Sequence, residues 1–191
     1  MADLATRKLP LAGCHGGSAT VRLTPAAPAS RISLRAPADS TSGLSRALGL
    51  ELPRKSKTSA RADGRYALWL GPDEWLVIDE SGAELVGLAA SASVLHSATD
   101  VSHRNTAIVV SGPGAEATLA GGCPQDLSLV AFPVGACSRT LFGKVEVVLL
   151  RLDEETFRVE VWRSFSDYAF GLLAEAAEDA GNTVSLRGEG A

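Results

Sequence analysis

Tyr66-Ala67-Leu68-Trp69-Leu70-Gly71-Pro72-Asp73-Glu74-Trp75-Leu76-Val77-Ile78 is the stretch that decides the fold. Two aromatic and aliphatic runs flank the turn-forming quartet Gly71-Pro72-Asp73-Glu74, so the segment predicts an antiparallel β-hairpin. Upstream, Ile32 and Leu34 alternate with Ser33 and Arg35 in a short strand. Leu44, Ala47 and Leu48 then recur at helical spacing until Gly49 and Pro53 stop them. Downstream, a helix is expected over about residues 83–91, after which Val94 and Leu95 lead into a strand reaching Asp100-Val101.

The second half has the same mixture. Thr106 to Val110 reads as a strand, and Ser111-Gly112-Pro113 opens a short helix that Gly121-Gly122 closes. A strand is expected near Cys137 to Phe142. In the hairpin that follows, Val145, Val147 and Leu149 alternate with Glu146, Val148 and Leu150, and Phe157, Val159 and Val161 alternate with Arg158, Glu160 and Trp162. One face of this hairpin is expected to be buried. In the last helix Phe165, Tyr168, Ala169, Leu172, Leu173, Ala176, Ala177 and Ala180 form an apolar stripe, with Ser164 as N-cap and Gly181 as C-cap.

Strand pairs interleaved with single helices point to an α+β fold: two small antiparallel-sheet-plus-helix units packed together. The expected organisation is an extended N-terminal arm over 1–30, a first unit over 31–98, a second over 99–182 and a flexible tail over 183–191. The arm is rich in Ala, Gly, Pro and Thr, broken by Pro10, Pro25 and Pro28, and is expected to have little core of its own.

Composition narrows the function. The 191 residues are 46% hydrophobic, enough for one substantial core or two small ones. A net charge of −4, with 18 basic and 22 acidic residues spread along the chain, lacks the footprint of a nucleic-acid binder. The basic cluster Arg54, Lys55, Lys57, Arg61 and Arg65 reads as a solvated loop. Without an apolar run of about eighteen residues or an export signal after Met1, the expectation is a cytoplasmic protein with no membrane contact. Cys14, Cys123 and Cys137 form no C-x-x-C pair, which suits reduced thiols.

No constellation of reactive groups emerges, so no catalytic, cofactor-binding or metal-ligating residue is assigned. Ser102 and His103 are adjacent on a strand or its edge and should point to opposite faces, which rules out a local dyad. Three histidines without metal-ligand spacing make a zinc site improbable. Pro113 removes an amide that a phosphate cradle at Ser111-Gly112-Pro113-Gly114 would need. A scaffold or docking module is the expectation. Trp162, on the polar face of its strand, and Phe170, off the helical stripe, are candidate partner contacts, with own-core packing the equal alternative. Arg104 and Arg163 could fix docking through carboxylates, or pair within the chain.

Several motifs, in order, carry a resemblance. Trp69-Leu70-Gly71-Pro72-Asp73-Glu74-Trp75-Leu76, Asp100-Val101-Ser102-His103-Arg104, Gly122-Cys123-Pro124-Gln125-Asp126-Leu127, Phe132-Pro133 with Gly135 and Cys137, Arg139-Thr140 and Arg163-Ser164-Phe165 resemble the gamma subunit family of heterotetrameric sarcosine oxidase from about residue 44 to 175. The resemblance implies an accessory subunit beside alpha, beta and delta subunits. It implies a complex that oxidises sarcosine to glycine and passes the one-carbon unit to tetrahydrofolate. FAD, FMN, NAD and zinc would then sit on the other chains. It also implies a fold similar to folate-binding aminomethyltransferase modules. A stand-alone folate-binding or aminomethyl-transferring protein is the alternative, and it would need Asp73, Asp100 or Asp126 to meet a pteridine ring.

Overall fold

Strands β1 (Gly16–Gly17), β2 (Arg22–Pro25) and β3 (Ser30–Arg35) come first in the computed structural model, which describes the backbone of residues 9–188 and the side chains of residues 9–181. Helix α1 (Thr41–Leu48), strands β4 (Ser59–Ala62), β5 (Arg65–Gly71) and β6 (Glu74–Asp79), helix α2 (Leu85–Ser91) and strand β7 (Ser97–Asp100) follow. The second half contains β8 (Asn105–Ser111), α3 (Ala115–Ala120), β9 (Cys137–Phe142), β10 (Val145–Asp153), β11 (Thr156–Trp162) and α4 (Ser166–Gly188).

The hairpin read from the sequence is β5–β6, with Trp69 opposite Trp75 and a bulge before Gly71 pairs with Glu74. Gly49 ends α1 as expected, in the left-handed conformation at φ 64° that spares glycine the clash of a Cβ.

Two sheets form, ordered β4-β5-β6-β3-β7 and β9-β10-β11-β8-β2-β1. Strand for strand these orders correspond, so the halves share one topology that the sequence itself does not display as a repeat. Each half takes its outer strand from the segment preceding the other half: β2 pairs with β8, and β7 pairs with β3. Residues 16–17 and 22–25 of the expected arm are therefore sheet components, and residues 1–8 lie outside the described ones. Val21 and Leu23 are buried with Val110, Leu119 and Phe157 in the second core. The expected boundary at 98/99 falls inside β7, which pairs with β3 of the first sheet.

Each sheet buries both faces. Ile32, Leu34, Trp75 and Val77 face α1 and α2, and Val147, Leu149, Val159 and Val161 pack with Ala169 and Leu173 of α4. Between the sheets, Tyr66, Leu68, Leu76 and Ile78 meet Cys137, Val148 and Leu150. The result is four layers, helix–sheet–sheet–helix. This apolar middle layer joins the two halves.

Three expectations at the last helix are corrected. Arg163–Phe165 form a turn of 3-10 helix ahead of α4, so the helix starts later than a Ser164 cap implies. The 3-10 turn rotates Phe165 out of the stripe, and Phe165 and Tyr168 are 43% and 44% exposed. Helix α4 continues through Gly181 to Gly188, so Gly181 is no cap and residues 183–188 extend the helix rather than form a tail. Residues 189–191 lie outside the described ones.

Candidate functional site

The two linkers between exchanged strands, residues 26–29 and 101–104, run beside each other, because β3 is hydrogen-bonded to β7 and β2 to β8. With residues 9–15 they enclose a cavity of about 560 Å3. Its walls are mainly Leu, Pro and Ala from the two N-terminal stretches, and its ionisable side chains are His15, Arg31, His103 and Arg163, with Cys14 also present. Among the described residues, no Asp or Glu side chain is in its lining.

Ser102 stands at one edge but is committed to structure: its Oγ donates to Asp100 Oδ1 at 2.6 Å and accepts from the Arg31 amide at 2.8 Å. His103, on the following residue, is exposed, and His96 Nδ1 lies 2.8 Å from the Val94 carbonyl oxygen. Cys137 donates its thiol to the Thr58 carbonyl at 3.1 Å, and burial pushes its pKa up to about 12, which makes it inert as a nucleophile. Among the described residues no group of three or more His, Cys, Asp or Glu converges as metal ligands would.

The strongest electrostatics lie between the sheets. Glu160 accepts from Arg31 Nε at 2.7 Å, Arg31 Nη2 at 3.1 Å and Arg158 Nε at 2.8 Å, and Arg158 Nη1 reaches Glu80 at 2.8 Å. Burial pulls the Arg158 pKa down, but Glu160 and Glu80 outweigh it and leave the guanidinium above its ordinary value. Alternation alone made Arg158 and Glu160 a solvent face; they sit instead on the face that meets the first sheet, paired with each other at i, i+2 and with Arg31 across the gap. That same-face pairing of opposite charges was the available signal for a buried pair.

The four residues read as partner contacts do not stay together. Trp162 is 39% exposed, its ring 6.0 Å from that of Phe165, with the Arg104 guanidinium 4.8 Å above it. Arg104 Nε also donates to Asn105, and its carbonyl accepts from the Arg163 amide at 2.7 Å. Arg104, Trp162 and Arg163 thus share one exposed face. Phe170 does not: it is 9% exposed and packs into the second core with Leu23. The N-terminal strands cover it, which is why a residue off the main stripe is nonetheless inside.

Phe165 and Asn105 adjoin this face and were not read as part of it from the sequence: Phe165 was assigned to the core by spacing, and Asn105 carries no local pattern. Asp73 and Asp126 are exposed on loops, Asp73 held by Arg35 and Asp126 by the Ser128 amide, and Asp100 is bound to Ser102. None of the three lines the large cavity.

Comparison with known proteins places this geometry. The family described as "Sarcosine oxidase, gamma subunit family" matches residues 35–179. A curated sarcosine oxidase subunit gamma from Corynebacterium sp. (strain P-1) is 32% identical over 84% of this chain and 81% of the relative. One from an Arthrobacter species is 34% identical over 74% of this chain and 72% of its own. Among solved structures, a chain of a heterotetrameric sarcosine oxidase from Corynebacterium sp. U-96, in complex with pyrrole 2-carboxylate, superposes with a TM-score of 0.81 at 26% identity, covering 87% of this chain and 89% of that one. The glycine cleavage system aminomethyltransferase T from Bartonella henselae matches with a TM-score of 0.63 at 14% identity, over 84% of this chain and 50% of its own, a likeness of fold alone.

Proposed function

We propose, from the premise that this chain belongs to the sarcosine oxidase gamma subunit family, that it is the non-catalytic accessory subunit of a heterotetrameric sarcosine oxidase. The observation that carries this is the near end-to-end correspondence with a chain of such a heterotetramer. The Ser102 hydroxyl is bound to the Asp100 carboxylate, and the buried Cys137 thiol is held protonated.

In this proposal the FAD, FMN, NAD and zinc sites and the tetrahydrofolate step reside on the alpha, beta and delta subunits, in the cytoplasm. The described residues include no helix long and apolar enough to cross a membrane. Arg104, Trp162 and Arg163 are the proposed partner contacts, since large half-exposed aromatics held by a guanidinium are typical anchors of an interface. The stand-alone folate-binding alternative loses support because none of its three carboxylates reaches the cavity.

Co-expression of the tagged chain with candidate flavin subunits tests the proposal. The expected result is a stable complex that oxidises sarcosine, and an isolated chain that is colourless and inactive. Flavin retained by the purified chain, or sarcosine turnover without partners, would refute it.

A further inference from the structure

We propose that the uncharged double turn over residues 128–136 is a plug that fills an apolar hollow in a partner subunit. The proposal rests on the subunit role argued above and names a second surface that serves it.

Apolar side chains cluster outside the core here. Val130 is 96% exposed, with Leu129 and Val134 about half-exposed beside it in sequence. The whole stretch from Leu127 to Ser138 contains no charged residue. Single exposed hydrophobics are ordinary on a soluble protein, whereas a charge-free group of them marks a contact.

The loop is held so that these groups stay outside. Its anchors Leu127 and Phe132 are buried, and Phe132 stacks on Phe157 with ring centroids 6.5 Å apart. The first turn closes on the Ser128 carbonyl, which accepts from the Ala131 and Phe132 amides at 3.1 and 2.8 Å. The second runs from Pro133 to Ala136, closed at 2.8 Å, with Gly135 at φ 82°. Gly135 is tied from both sides: its carbonyl accepts from the Ser59 hydroxyl at 2.6 Å, and its amide donates to the Arg151 carbonyl at 2.9 Å. The shape is set before a partner arrives, so little ordering cost falls on docking.

Shape and charge choose the occupant. Val130 stands clear of its own chain, and a convex tip is buried only by a concave surface. Two copies set tip to tip would touch over too little area to hold. Segment 135–137 also runs between two charged neighbours. On one side the Cys137 amide donates to the Lys57 carbonyl at 3.3 Å and the Ser59 amide to the Gly135 carbonyl at 3.1 Å; on the other lies the end of β10. The first neighbour carries exposed Arg54, Lys55 and Lys57 against Glu51 and Asp126, a positive excess. The second leads into exposed Asp153, Glu154 and Glu155. An anionic lipid surface would be attracted by one flank and repelled by the other. A protein hollow can set a carboxylate against the first and a cation against the second. The partner is therefore a folded chain whose apolar hollow lies between an acidic and a basic rim.

Val130→Glu and Val134→Glu, each in the full chain co-expressed with the alpha, beta and delta subunits, test this. The dissociation constant from the partner subunits should rise about 10–100-fold for each, with circular dichroism of the free variants matching the parent. Leu95→Glu, at an exposed leucine between α2 and β7, should change it less than about threefold. Lys55→Glu should raise it about 2–5-fold at low salt, with the difference shrinking as salt increases; no effect, or tighter binding, overturns the acidic rim.

Hydroxyl-radical footprinting of the unmodified complex reads the side chains without any substitution: oxidation of the 127–138 peptide should fall several-fold on assembly. Assembly in which both valine variants bind like the parent, or in which this peptide is oxidised as in the free chain, overturns the proposal and leaves the subunit role intact. Protection that appears instead as the isolated chain is concentrated, or on adding phosphatidylglycerol vesicles to it, and not in the complex, also overturns it. Failure of the unmodified chain to assemble at all removes the subunit role and the plug with it.

Discussion

Glu160 is the single carboxylate between two buried guanidinium groups, and Glu160→Ala should be among the most damaging substitutions in the chain. Its side chain and those of Arg31 and Arg158 are 1%, 3% and 3% exposed. Removing it leaves Arg31 the Ala29 carbonyl at 3.0 Å and Arg158 the Glu80 carboxylate at 2.8 Å, whose own side chain is 43% exposed. Breaking a buried pair from one side costs about 3–5 kcal/mol, and the upper end applies because two cations share this anion. At about 2–4 °C per kcal/mol for a chain of this length, Tm should fall by roughly 10–20 °C.

Urea unfolding followed by far-UV circular dichroism at neutral pH measures the loss directly. The companion is Arg31→Met with Glu160→Met, which replaces the pair by apolar groups and leaves Arg158 its Glu80. Because desolvation and Coulomb attraction nearly cancel in buried pairs, the double variant should recover the part of the loss that comes from Arg31, with Arg158 still short of its Glu160 contact. A Glu160→Ala cost below about 1 kcal/mol, or a double variant as unstable as the single, would refute the claim that these charges compensate one another.

Three further outcomes follow from the same geometry. Asp79 accepts hydrogen bonds from Ser81, the Ala83 amide and Arg65, which outweigh its burial and lower its pKa from 3.8 to about 2. A depressed acid stabilises the fold above its unfolded pKa, so Asp79→Asn should cost about 2 kcal/mol at neutral pH, with the gap to the parent closing as pH falls from about 4 to about 2; a gap constant with pH would contradict this. Native alkylation near pH 8 should spare Cys137 and modify part-exposed Cys14 first, with all three thiols labelled only after unfolding, as mass spectrometry would resolve. Leu23→Ala should lower stability by about 2–5 kcal/mol in chemical denaturation, because Leu23 is buried in the second core; a neutral effect would return residues 9–30 to the status of a loose arm.

How far the fold could be read from the sequence depended on the range of the contacts. The hairpin at Trp69–Trp75, the strands around Ile32, Ile108 and Val147, and the Gly49 stop are local patterns, and each formed where period and turn chemistry placed it. The exchange of outer strands left no such trace. Leu23 pairs opposite Val110, and the Gly and Pro residues around β2 hide its short alternation. The same hidden strand explains Phe170, whose second covering surface is remote in sequence. At the candidate site, Arg104, Trp162 and Arg163 were visible as large or charged groups at a strand end. The cavity beside them was not, since it exists only where two distant linkers and residues 9–15 come together.

Synthesis proceeds from one end, and the exchange of strands imposes a waiting time on it. Leu23 leaves the ribosome about 90 positions ahead of its partner Val110, a delay of roughly 5–20 s at common elongation rates. During that interval the nascent segment has no sheet to join. The first half, by contrast, can close as soon as β7 emerges. A gene cut in the 101–104 linker would yield a front piece carrying a surplus strand and a back piece lacking one, so the two fragments should regain the native fold only when mixed.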